Sequence, residues 1–173
     1  MSLLLSGTNG ITFPDATGPF DGADLSTGKV LQAVLNTVTS QDSLSTQIPG
    51  DDTKPQISEG TQILTSGAIT PGHANNFIQI AIHVGRYYLP AGYPTLAIFD
   101  GSTDAVWAGY ATLTTQVRTH IWTTTAGSTS ARTYTVRLGP SGASALVINT
   151  SAYMGAGMPG DETTWMFLQE IAA

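Results

Sequence analysis

The chain has 173 residues, of which 10% are charged, with a formal net charge of −6 and no cysteine. That length fits one domain with a sizeable core and room for a short arm. The missing cysteines exclude disulfides and thiolate metal sites, and the six basic residues (Lys29, Lys54, Arg86, Arg118, Arg132, Arg137) are scattered, which excludes a polyanion-binding patch and with it nucleic acid. Solubility must therefore come from Ser, Thr, Asn and Gln, a profile that suits the outer face of β structure. No apolar run approaches the ~20 residues of a membrane helix. Met1–Leu5 is too short for a signal-peptide core and lacks a basic flank, so the expectation is neither membrane insertion nor Sec export.

Residues 1–28 are rich in Gly, Pro, Asp and Thr and hold no period, which predicts an extended N-terminal arm ahead of a domain at 29–173. Its apolar anchors are Leu3, Leu4, Leu5, Ile11, Phe13 and Phe20. They either tuck onto the chain's own core or dock onto another subunit or particle. Lys29–Thr39 fits both helix and strand spacing, and its β-branched content favours strand. Gln41–Ser58 reads as a long polar loop, the kind of segment that serves function or subunit contact.

The clearest period lies in Phe77–Val84. Ile78, Ile80, Ile82 and Val84 alternate with Phe77, Gln79, Ala81 and His83, which predicts a strand with one buried face. The apolar run Ile63–Ile69 precedes it across the turn formers Thr70–Asn76, so the two read as a hairpin-like unit. Further strands are expected at Thr95–Phe99, Ala105–Leu113, Gln116–Thr125, Thr133–Leu138, Ala145–Ile148 and Thr164–Ile171. Tyr134, Val136 and Leu138 should face inward. About eight or nine regularly spaced strands and no convincing helix predict an all-β protein, an antiparallel β-sandwich of jelly-roll-like connectivity.

Sites of chemistry are sparse. His73, His83 and His120 fall in no metal-ligand or triad pattern, so structural roles are expected. Gly155–Gly160 is Gly-rich but lacks the Lys and helix of a phosphate cradle. Asp100-x-Ser102-x-Asp104 opens like a calcium loop, yet Ala105 and Ala111 stand where Gly and Glu are needed, which favours a turn in which Asp100 bonds its own backbone. Asp51, Asp52 and Glu59 read as solvated turn residues rather than an ion site. No catalytic residue, cofactor or metal is expected. The aromatic cluster Tyr87, Tyr88, Tyr93, Trp107 and Tyr110 is the candidate receptor or interface surface, since Tyr and Trp serve both sugar contact and subunit packing.

Several segments together carry a resemblance: Ile48–Gln56, Glu59–Gln62, Ala68–Pro71, Asn75–Ile80, Leu96–Gly101, Thr125–Arg137 and Gln169–Ile171. Their order and spacing resemble the small β-sandwich domains of tailed-bacteriophage virions, best known at the ends of tail fibres, over residues 30–171. Residues 7–15 are similar to the lead-in of such domains. The resemblance implies a non-enzymatic, usually trimeric virion surface module. Three classes follow. The first is a decoration, cement or short head-fibre protein that the arm seats on capsid or tail proteins. The second is a tail-fibre adhesin that binds host surface glycan, and the third a glycan depolymerase. The short lead-in favours the first, located in a virion assembled in the bacterial cytoplasm. The depolymerase needs a carboxylate pair, and the acids here cluster in turns.

Overall fold

The computed structural model describes residues 4–6, 10–12, 28–111, 115–149 and 163–173. Among them every regular element is a strand. Near the N-terminus β1 (Leu4–Ser6) and β2 (Gly10–Thr12) pair antiparallel with Leu5 opposite Ile11. A short ribbon therefore stands where the Gly-rich sequence showed no period.

The domain follows as β3 (Val30–Val38), β4 (Asp42–Leu44), β5 (Thr61–Thr65), β6 (Phe77–Tyr88), β7 (Pro94–Phe99), β8 (Trp107–Tyr110), β9 (Thr115–Thr125), β10 (Thr135–Pro140), β11 (Leu146–Ile148) and β12 (Thr164–Ile171). One sheet runs β3-β12-β6, with β9 on the free side of β6 and the short β11-β4 pair continuing from its far end. The other runs β5-β10-β7-β8, and every pairing is antiparallel. With β4 and β11 set aside, eight strands are divided between two sheets in orders where most sequence neighbours lie apart. This is an antiparallel β-sandwich with jelly-roll connectivity.

Strand β6 is central because both its edges are paired and one face is wholly apolar. Ile78, Ile80, Ile82 and Val84 are buried, as alternation required. They share one core with Met166 and Leu168 of β12 and with Leu64, Leu96, Ile98, Val136 and Leu138 of the opposite sheet, and Tyr134 joins them. A register shift between Val84 and Tyr87 lets both side chains turn inward, so the tip of β6 stays buried where it meets β11. At the open side of the sandwich aromatic rings bridge the sheets. Trp107 of β8 lies 5.1 Å from His120 of β9, and Trp122 meets Tyr134 edge-on at 6.5 Å.

Two expectations are corrected. The run Ile63–Ile69 does not form a hairpin with β6, because β5 pairs with β10 in the other sheet. The connection 66–76 is too long for a tight hairpin, and crossing the sandwich lets both strands bury their apolar faces. The segment Gln41–Ser58 is also more than a loop: it contains β4, and beyond it Ile48 is fully buried. Lys29–Thr39, in contrast, is the strand its β-branching predicts.

Buried Glu170 of β12 ties the Thr70–Asn76 connection to the sheet. Its carboxylate accepts hydrogen bonds from Gly72 N (2.8 Å), Asn76 Nδ2 (2.5 Å) and Gln32 Nε2 (2.6 Å). Burial pushes its carboxyl pKa up, but these bonds outweigh that and hold it below the ordinary value of 4.5. At the other end, Thr164 Oγ1 donates to Asn149 Oδ1 and accepts from Gly85 N, while Asn149 Nδ2 donates to the carbonyls of Val38 and Ser40.

The core and the carboxylate each give a prediction. Ile80→Ala should lower unfolding free energy by about 2–5 kcal/mol in urea titration, from lost burial plus an unfilled cavity. Glu170 has a depressed folded-state pKa, so its stabilisation is present above its unfolded value and lost as pH falls through the folded one. The denaturation midpoint should therefore drop below about pH 4.5. Glu170→Gln should be less stable at pH 7 by ~1–3 kcal/mol, because a donor is left facing a donor, and should lose less over the acid range.

Candidate functional site

The outer surface of the four-stranded sheet is not left bare. On it Ala97, Phe99 and Ala105 form a second small core with Ile48, which the segment after β4 lays across the sheet. Close approach is what allows this. A Cβ on Gly139 of β10 would meet the carbonyl oxygen of Thr46, and one on Gly60 would fall 2.7 Å from Ile48. Gly60 also has φ of +62°, a conformation glycine adopts without strain. Backbone bonds fasten the strap, from Ile48 N to Pro140 O and from Gly60 N to Gln47 O.

Between this strap and the β7–β8 edge lies an open cleft of about 540 Å³. Its aromatic wall is Tyr93 and Tyr110, 51% and 64% exposed, with ring centroids 6.0 Å apart and planes tilted by 53°. The opposite wall is Pro49, Asp51 and Thr53. Strand pairing places the tyrosines, since Thr95, two residues after Tyr93, is registered with Tyr110. Ser141 fixes the base of Tyr93, accepting from Tyr93 N at 2.9 Å and donating its own N–H to Tyr93 O at 2.8 Å. Asp51 Oδ1 accepts from Thr53 N and Thr53 Oγ1 at 2.9 and 2.6 Å, and these bonds hold its carboxyl below the ordinary range. The arrangement is two splayed phenol rings and a hydrogen-bonded carboxylate lining one cleft. That suits contact with a polar, hydroxyl-rich ligand and includes no nucleophile–base pair.

The sequence-predicted aromatics separate. Tyr93 and Tyr110 come together in the cleft. Tyr87 leaves the candidate set because its ring is buried inside the sandwich; burial pushes its phenol up, and the Arg118 guanidinium pulls the other way. Trp107 also points inward, with its ring under Gly109. Tyr88 is half-buried at the end of β6. Of the arm anchors, Leu4, Leu5 and Ile11 lie on β1 and β2, while Leu3, Phe13 and Phe20 fall outside the described residues, as does Gly155–Gly160.

Other polar candidates serve the fold. Asp100 Oδ1 accepts from Ser102 N and Ser102 Oγ, the turn expected of it. His120 faces Trp107, and burial lowers its pKa, followed by the effect of Arg118. His83 stacks on Trp165 at 5.2 Å and 9° and is hydrogen-bonded to Thr119. Among the described residues no group of three His, Asp or Glu side chains is placed to hold a metal ion, and no helix is long and apolar enough to cross a membrane.

Sequence reasoning missed a second cleft of about 520 Å³ at the open side of the sandwich, walled by Lys54, Asp104, Trp122, Thr124 and Arg132 over buried Tyr134. Its parts come from four separate stretches of chain, so no local pattern announces it. The strap residues Pro49, Asp51 and Thr53 had a signal, since an 18-residue polar segment between strands asks for a partner.

The chain matches no family model and no curated protein. Among solved structures it is similar to dimeric latent PorU from Porphyromonas gingivalis, at 6% identity, 85% of this chain, 14% of that one and a TM-score of 0.36. It is also similar to the infectious bursal disease virus VP2 subviral particle, at 12% identity, 93% of this chain, 41% of that one and a TM-score of 0.32. The chain thus spans well under two thirds of the length of either, and neither likeness bears on what it does.

Proposed function

We propose that this chain is a non-enzymatic structural protein of a bacteriophage virion. In this reading it is a homotrimeric surface module of the decoration, cement or short head-fibre type, attached to capsid or tail proteins by residues 1–28. The observation that carries the reading is the strand order: an eight-strand jelly roll occupies the same stretch, residues 30–171, over which the ordered segments resemble phage virion domains. Jelly rolls serve viral capsid and lectin domains, and fold alone does not name a function. The disposition of polar groups adds support. Glu170, Asp100 and Asp51 are each bonded within the fold.

A second reading, a receptor-binding adhesin, is favoured by the cleft of Tyr93 and Tyr110. Exposed aromatic side chains beside fixed polar groups are the usual means of gripping a sugar.

Light scattering of the full chain should return about three times its 18.0 kDa mass. Deleting residues 2–20 should leave a folded sandwich that no longer associates with particles; normal occupancy by the truncated chain would move attachment to the sandwich. Incubation with host surface polysaccharide should release no reducing ends. In the adhesin reading, Tyr93→Ala with Tyr110→Ala should weaken binding to host cells by about tenfold or more, ~1.4 kcal/mol. Unchanged cell binding would leave the cleft without that role.

A further inference from the structure

The sheet built on β6 has one face in the core and one outside, and the outer face is apolar where a solvent face is normally charged. Strand register lines up Leu35 of β3, Phe167 of β12, Ala81 of β6 and Ile121 of β9 in one row across four strands. Leu35 and Ile121 are 59% and 64% exposed. Phe77, Leu31 and Val117 are exposed on the same side. From the Phe77 row to the His83 row no Asp, Glu, Lys or Arg occupies an outward position on these strands, although the chain carries a net charge of −6.

The polar side chains of this face bond one another. Gln169 Nε2 donates to Gln79 Oε1 at 2.6 Å, Gln79 Nε2 reaches Thr123 Oγ1 at 3.4 Å, and His83 is bonded to Thr119. Burying them would leave few hydrogen bonds unmade, so the usual cost of covering a polar row is largely met in advance.

We infer that a second copy of this chain covers this face. Two features select that occupant. A chain of net negative charge repels its own copies through its charged surfaces, and this is a sheet face that a copy can cover without that cost. The area is also of the right order. The four strands are 8 to 12 residues long, which at ~3.3 Å per residue and ~4.8 Å between strands gives roughly 600 Å² in projection before side-chain relief. That approaches the ~800 Å² per partner of a stable complex before the relief of the side chains is counted. The inference deepens the homotrimeric reading above and rests on it only for the number of copies.

The test is light scattering of the full chain at micromolar concentration beside the double variant Leu35→Lys, Ile121→Lys. Both positions are exposed in the single chain, so the variant should keep the β-sheet circular dichroism of the parent while its mass falls to 18.0 kDa. Tyr110→Lys, on the other sheet, should leave the assembly intact. Cysteine labelling tests the same face without adding charge, since the chain has no cysteine of its own. Ile121 and Tyr110 are equally exposed at 64%, so with maleimide Ile121→Cys should label several-fold more slowly than Tyr110→Cys in the assembly. An assembly that survives the double variant and labels both cysteines equally would overturn the face and leave the trimer standing. A parent chain of 18.0 kDa would overturn both, while particle attachment, read from the arm deletion, is decided separately.

Discussion

The burial of one face of β6 is the constraint on which the rest of the structure depends. Ile78, Ile80, Ile82 and Val84 are too apolar to face water, and each contributes roughly 1.5–3 kcal/mol when fully covered. A single sheet cannot cover its own face, so a second must lie over it. Long neighbours on both edges, β12 and β9, hold β6 flat enough to present the row as one surface. The opposite sheet supplies Leu96, Ile98, Val136 and Leu138 to meet it. A slip of one residue would expose the whole row, which is why the register is firmly set.

Where the chain must bury polar groups, it pairs them across distant segments. Glu170 gathers donors from β3 and from the connection before β6, and Asn149 joins the ends of β3, β11 and β12. The Glu170 bonds fix the crossing from β5 to β6, between sheets, which backbone ladders within a sheet cannot do. The strap over the four-stranded sheet uses another device. Gly60 and Gly139 carry no Cβ, so the backbone near Thr46 can come close enough for Ile48 to reach Phe99. Cleft and strap are thus one construction, since the segment that covers Phe99 also forms the wall opposite Tyr93 and Tyr110.

The two outer surfaces of the sandwich differ in kind. One is strapped by the chain itself and bordered by a cleft with Asp51 and exposed phenols. The other, over β3-β12-β6-β9, lacks charge across its central rows and carries Leu35, Phe167 and Ile121 in register. In the proposed reading these surfaces divide the labour, one side meeting a ligand and the other a copy of the chain.

The sequence by itself determined the strands and the inner rows, because strand period is a local property. Ile78 to Val84, Val136 and Leu138 are buried as alternation demands, and turn formers bracket most elements correctly. Pairing was not legible. β5 and β6 are neighbours in the chain yet lie in opposite sheets, because partners are chosen by how faces fit across the sandwich. Sidedness in β9 was equally hidden. Val117 and Ile121 are the apolar members of the strand yet face outward, while Arg118, His120 and Trp122 turn inward toward Tyr87 and Trp107. The aromatic cluster could be named from its composition. Only tertiary structure could divide it into Tyr93 and Tyr110 outside and Tyr87 and Trp107 within, because exposure depends on what the rest of the chain places over each ring.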